Sequence, residues 1–228
     1  IRMARSLKKV LYLGPEGTYT HQAALQQFGD DESYELSPAK SIPECLDELE
    51  NNASINYAVI PLENSTNGQV VFSYDLLRDR MLKSLKHESS IHRVIPALEI
   101  IAEQYVSIDH CLLSNTAAHM SDLEKYKNIK IHSHPQVWGQ VEQYLKVLRE
   151  KYPEIAFERL DTSSTSEAVL KTINLDTSDQ QESTLNLAIA SEVAAKLYRA
   201  NILEKRINDQ LGNTTRFLVF KKRSSAYP

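Results

Sequence analysis

Glycine, cysteine and long apolar runs are scarce in this chain, and each shortage removes a class of function. Its 228 residues include 6 glycines, none of them in the G-x-G-x-x-G spacing of a dinucleotide fingerprint or in a Walker phosphate loop. The two cysteines, Cys45 and Cys111, lie far apart without metal-ligand spacing and read as buried thiols in a reducing compartment. No apolar stretch reaches the length that crosses a bilayer, so no membrane partner is expected. The basic opening IRMARSLKK leads into VLYLG, which is too short for a signal-peptide core, and the default compartment is the cytoplasm. Positive charge is also short: the net charge of −4 argues against a nucleic-acid partner, which needs clustered cations to displace counterions. A small anionic substrate stays open, because a few cations inside a cleft override the sign of the surface.

What is present is an ordinary globular composition, 42% hydrophobic and 25% charged, enough for one large domain or two small lobes. Short apolar runs alternate with amphipathic stretches throughout, the pattern of an α/β protein. Strands are expected at Lys9–Leu13, Tyr34–Leu36, Tyr57–Pro61, Val94–Ala102, Asp109–Leu113, Ile129–His132, Ile155–Leu160, Leu185–Ala190 and Arg216–Lys221. Helices are expected at Tyr19–Phe28, Ser41–Leu49, Val70–Leu82, Ala117–Tyr126, Gln136–Lys151, Ser166–Ile173 and Ser191–Tyr198. Ser41 caps the second of these, with Pro43 in the first turn and Glu44 completing a capping box. Lys83–Arg93 reads as a crossing point or inserted loop, and Leu175–Thr184 as a polar surface loop. The alternation favours parallel sheets, whose ligands bind beyond the carboxyl ends of the strands.

Five polar motifs follow strands or open helices. In LGPEGTYTH (Leu13–His21), a sharp turn leads to a helix start whose free N–H groups suit a carboxylate, or form an ordinary βα turn. PLENSTNG (Pro61–Gly68) packs Glu63, Asn64, Ser65, Thr66 and Asn67 directly after an apolar strand, as a ligand site or as a turn closed by Asn67-Gly68. In HSHPQVWGQ (His132–Gln140), Ser133 follows a strand, and Gln136 and Gln140 would share one helical face. His119, His132 and His134 show no zinc spacing. DTSSTSEA (Asp161–Ala168) is an N-cap or an anion cradle. GNTTRFLVF (Gly212–Phe220) opens a strand with Thr215 and Arg216, and Arg216 has the fork that pairs with a carboxylate. The residues alone support a two-lobed α/β protein that binds a small polar anion.

In this order, the motifs resemble the prephenate dehydratase family. Gly14–Tyr19 matches its Gly-Pro-x-Gly-Thr-aromatic opening, and Pro61–Gly68 its Pro-x-Glu-Asn-Ser/Thr-x-x-Gly segment. Ser133–Gln136 with Gln140 matches its Ser-His-Pro-Gln segment, and Asn213–Phe217 its Asn-x-Thr-Arg-Phe signature. The resemblance runs from about Lys9 to Phe220. Val141 stands where a Cys is frequent and Thr20 where Ser is usual. Lys86–Pro96 and Leu175–Thr184 are longer and more polar than in compact members.

The resemblance implies an α/β fold of two lobes like type II periplasmic binding proteins, with the active site in the inter-lobe cleft. Lobe one would be about 9–85 plus 201–222, and lobe two about 86–200. It implies a lyase that converts prephenate to phenylpyruvate with loss of CO2 and water, in L-phenylalanine biosynthesis. Thr215 would give the leaving hydroxyl its proton, and Glu63 would orient Asn64 or act as a second acid. Arg216 would hold a substrate carboxylate, while Asn64, Ser65, Ser133 and Gln140 would position the substrate. No metal or organic cofactor is implied. Members usually continue into a phenylalanine-binding ACT domain, so an isolated catalytic domain is expected here, homo-oligomeric in the full-length protein. Arogenate dehydratase chemistry and a non-catalytic solute-binding role are the alternatives.

Overall fold

A computed structural model describes residues 6–29, 31–86, 96–178 and 183–224, without the side chains of 84–86 and 176–178. The central parts of the two expected polar loops, 87–93 and 179–182, lie outside the described residues, as do 94–95 of one expected strand. In chain order the strands are β1 (Lys8–Leu13), β2 (Tyr34–Ala39), β3 (Ile55–Asn64), β4 (Gly68–Gln69), β5 (Leu98–Ser107), β6 (Cys111–Ser114), β7 (Asn128–Ser133), β8 (Ala156–Asp161), β9 (Thr184–Ala190), β10 (Asn201–Glu204) and β11 (Thr214–Lys222). The helices are α1 (Tyr19–Phe28), α2 (Ile42–Asn51), α3 (Val71–Lys86), α4 (Pro135–Trp138), α5 (Glu142–Lys151), α6 (Thr165–Ser178) and α7 (Glu192–Tyr198). The chain forms two compact units.

The first unit comprises 1–14, 20–107 and 214–228. Its sheet runs β2-β1-β3-β11-β5, with β4 folded back on β3 as a hairpin. β2, β1 and β3 are parallel, whereas β11 lies antiparallel to both β3 and β5. The sheet is therefore mixed rather than wholly parallel. α2 starts at the expected cap, the Ser41 hydroxyl accepting from the Glu44 N–H at 3.2 Å. The Glu44 carboxylate, however, accepts from the Lys40 N–H instead of the Ser41 N–H, so the expected capping box is not closed. Ile42, Cys45, Leu46 and Leu49 fall on one helical face and are buried with Ile60, Leu62, Leu218 and Phe220. Burial pushes the Cys45 thiol up to about 12, so it stays protonated and inert.

The second unit comprises 15–19 and 108–213. Its sheet runs β10-β6-β9-β7-β8, with β7 parallel to β8 and β9, and β6 antiparallel to β9 and β10. β9 shows how alternation sorts two layers. Leu185, Leu187 and Ile189 pack with Val141, Leu145 and Leu148, while Ala188 and Ala190 pack with Ala168, Ala194 and Ala195. Large residues fill one face, and small ones let α6 and α7 approach the other.

Other features also depart from the sequence expectation. The units change at 107/108 and 213/214 instead of 85/86 and 200/201, because β5 pairs along β11 while β10 pairs with β6. The helix expected at Gln136–Lys151 is two helices, α4 and α5, so Gln136 and Gln140 do not share a continuous helical face. Val141 leaves helical geometry (φ −129, ψ 20), and the Asp209 carboxylate caps α5 by accepting from the Gln143 and Tyr144 N–H groups at 2.8 and 2.9 Å. The helix expected at Ala117–Tyr126 is a 3-10 helix over Met120–Lys125, held by Asp122 accepting from the Ala118 and His119 N–H groups. Among the described residues no helix is long and apolar enough to cross a membrane.

Candidate active site

Because β11 is antiparallel to β3, its first residues lie beside the carboxyl end of β3. Thr215 faces Asn64 in the register and Arg216 faces Glu63. The Asn64 amide donates to Thr215 Oγ1 at 2.8 Å, and its carbonyl oxygen accepts from the Thr66 and Asn67 N–H groups, both at 2.9 Å. The turn after β3 therefore orients Asn64, and Asn64 orients Thr215, which is 9% exposed. Ser65 joins the turn to β11 by a backbone N–H bond to the Thr214 carbonyl at 2.9 Å. Its hydroxyl accepts from the Thr214 N–H at 2.8 Å.

Alternation along the strands puts Glu63 and Arg216 on the face opposite Asn64 and Thr215. Arg216 Nη2 lies 2.9 Å from Glu63 Oε1, and Nη1 lies 3.3 Å from Glu103 Oε2. Tyr74 donates its hydroxyl to the second Glu63 oxygen at 3.3 Å. Desolvation opposes the Arg216 charge, but the Glu63 carboxylate and the bonds to Tyr105 and Glu103 raise its pKa overall. Glu63 is thus held in an ion pair. The side chain of Asn64 is oriented by the turn instead.

The second unit carries the other expected residues. Ser133, fully buried at the end of β7, donates its hydroxyl to the Ile189 carbonyl at 2.8 Å. Gln140 sits in the break between α4 and α5, where its N–H donates to the Val137 carbonyl and its own carbonyl accepts from the Asp209 N–H. Its side-chain oxygen lies 2.7 Å from His110 Nε2, and the other ring nitrogen lies 2.9 Å from the Tyr19 hydroxyl. Burial lowers the His110 pKa, against a bond to Gln140 and the charge of Asp109, which raise it. Burial likewise raises the Tyr19 pKa well above its usual value, with Cys111 and Asp109 adding to it. His134 caps α4, its Nδ1 accepting from the Gln136 N–H at 3.2 Å.

The sequence reading missed His110 and the tie from Tyr19 to it. Tyr19 was legible as a helix start and as the aromatic residue of the opening motif, and His110 only as one polar residue in an apolar stretch. Among the described residues no cluster of three His, Cys, Asp or Glu side chains could hold a metal ion.

Two mixed α/β sheets, each with amides and hydroxyls fixed near the end of a parallel strand, define a protein that handles a small polar molecule. The chain belongs to the prephenate dehydratase family, whose model matches residues 10–225. That family converts prephenate to phenylpyruvate in phenylalanine biosynthesis. A probable prephenate dehydratase of Saccharomyces cerevisiae is 56% identical over 98% of this chain and 68% of its own length. The prephenate dehydratase of Arthrobacter aurescens, solved with L-Phe, superposes with a TM-score of 0.68 at 22% identity, over 96% of this chain and 62% of that one. A protein described as a novel type of quorum-quenching acylase superposes with a TM-score of 0.67, also at 22% identity, over 97% of this chain and 66% of that one. At that identity the structural likeness shows the fold alone, and one fold carries two differently named activities.

Proposed function

We propose that this chain converts prephenate to phenylpyruvate, CO2 and water, with the Thr215 hydroxyl as the proton donor to the leaving group. Decarboxylation drives an electron pair into the ring, the C–O bond to the ring hydroxyl breaks, and the departing oxygen takes a proton to leave as water. The ring gains aromaticity, so the demand on the protein is to make hydroxide a good leaving group. The observation that carries this reading is the 2.8 Å bond from the Asn64 amide to Thr215 Oγ1. With its oxygen already accepting, the hydroxyl is polarised and its own proton is directed elsewhere.

The same geometry supports a division of labour. A carboxylate approaching Arg216 would meet Glu63 and Glu103 on the same guanidinium, so we assign the Glu63–Arg216 pair to holding β3, β11 and β5 in register. Asn64 and Ser65 position Thr215. Gln140 contacts the substrate, and Ser133 holds the end of β7. The test is to incubate the purified chain with prephenate, and in parallel with arogenate, and to follow phenylpyruvate or phenylalanine. Prephenate turnover that falls about 10²- to 10⁴-fold in Thr215→Val is expected. A folded chain inert toward both compounds, or a Thr215→Val protein with near-normal turnover, overturns the reading.

A further inference from the structure

We propose that His110 and Tyr19 are positioning residues that lock the Gln140 amide with its oxygen inward, so that its NH2 is offered to an acceptor oxygen of the substrate. This rests on Gln140 touching the substrate. A glutamine amide has two nearly isosteric orientations, one presenting an acceptor and the other a donor, and only its neighbours choose between them. Here the choice is made by a buried ring. Gln140 Oε1 faces His110 Nε2 at 2.7 Å, so that nitrogen carries the hydrogen. Nδ1 of the neutral ring is then an acceptor, and the Tyr19 hydroxyl donates to it at 2.9 Å. The Asp109 carbonyl, 3.3 Å from the same hydroxyl, is the longer alternative.

The ring cannot easily turn away. His110 is 2% exposed, and its backbone is held on both sides, the main-chain N–H donating to Asn208 Oδ1 at 2.7 Å and the main-chain carbonyl accepting from the Ile207 N–H at 3.0 Å. Tyr19 packs edge-on against it, with ring centroids 6.0 Å apart at 69°. The backbone of Gln140 is pinned on both sides by Val137 and Asp209. Its Nε2 has no hydrogen-bond partner among the described residues. A donor held that rigidly fits a carboxylate or keto oxygen and repels an ammonium. The chemical class selected is an oxygen anion or carbonyl.

The experiment is a double-mutant cycle read in KM and kcat for prephenate. His110→Leu removes both ring nitrogens at similar volume and should raise KM about three- to tenfold, the effect of one lost hydrogen bond, with kcat much less changed. His110→Gln, which restores a donor toward Gln140, should recover part of the loss. Tyr19→Phe is the milder variant should His110→Leu not fold, and it should raise KM in the same direction. In a Gln140→Ala background neither change should raise KM further, because the amide they orient is gone. Equal increases with and without Gln140 would overturn the proposal and assign His110 to packing alone. A Gln140→Ala protein with unaltered KM would overturn the substrate contact itself, an outcome separable from failure of the His110 link.

Discussion

On β11 the side chains of Thr215 and Arg216 leave opposite faces of the sheet, and their partners differ accordingly. Thr215 takes the Asn64 amide, whereas Arg216 takes two carboxylates. Thr215→Val keeps the β-branched shape while removing the only proton the side chain can give. Its expected cost is therefore in kcat, and Thr214→Val, on the other face, serves as the control that should leave kcat within a few-fold. Steady-state kinetics beside a thermal melt checks both. A second residue-scale prediction concerns His110, whose ring faces Tyr19 and Gln140 with Asp109 beside it. An unfolded histidine takes a proton near about pH 6.5, while the buried ring resists protonation, so below that pH the unfolded chain binds more protons. Stability should be fully present above about pH 6.5 and decline as pH falls toward the lower folded value. Melting temperatures measured across that window should fall more for the native chain than for His110→Gln.

At the scale of elements, what was legible is what local chemistry decides. The Ser41 cap, Pro43 in the first turn of α2 and the strand at Leu185–Ala190 each depend on residues a few positions apart, and each formed as read. Glu44, by contrast, bonds the Lys40 N–H instead of closing a box on Ser41. The ordered motifs brought Thr215, Asn64, Glu63 and Arg216 into consideration, and the antiparallel pairing of β3 and β11 makes them neighbours. The break before α5 was not legible. Gly139 is not its cause, since it already sits in helical geometry at φ −66 and ψ −18. The cap comes from Asp209, and a distant carboxylate leaves no local trace in the sequence of the helix it caps. Asp209→Ala should therefore cost about 0.5–2 kcal/mol, the usual worth of an N-cap. Denaturant unfolding measures that cost, and KM should change little, because the backbone N–H of residue 209 that bonds the Gln140 carbonyl is kept in the variant. Unchanged stability would show that the break is intrinsic to the segment.

At the scale of the whole molecule, the chain passes between its two units at 14/15, 19/20, 107/108 and 213/214, where two crossings were expected. The unforeseen pair isolates Pro15–Tyr19, five residues of the opening motif that belong to the second unit although the strand before them and most of the helix after them belong to the first. Strand and helix patterning cannot reveal such a graft, because it depends on which distant helices receive the turn. The receivers are the starts of α6 and α7. Ser166 donates its hydroxyl to the Glu16 carbonyl, and Ser191 donates to the Gly17 carbonyl at 3.2 Å. Gly17 is the residue that permits it. It sits at φ +81, and a Cβ there would lie 2.8 Å from Ser166 Oγ and 3.3 Å from Ala194 Cα. Gly68 is the natural comparison, since its φ of +79 carries the same backbone strain with nothing within 4 Å of the place a methyl would take. Gly68→Ala should cost only the left-handed strain of an L-residue, about 1 kcal/mol. Gly17→Ala adds the clash with α6 and α7, so its total should reach about 2–4 kcal/mol. Chemical denaturation of the two variants side by side separates strain from clash. Hydrogen exchange should then show the extra loss of protection in Gly17→Ala at the starts of α6 and α7, near Ser166 and Ser191. Equal costs for the two glycines would mean that Pro15–Tyr19 is not clamped onto the second unit and that its assignment there has no energetic content.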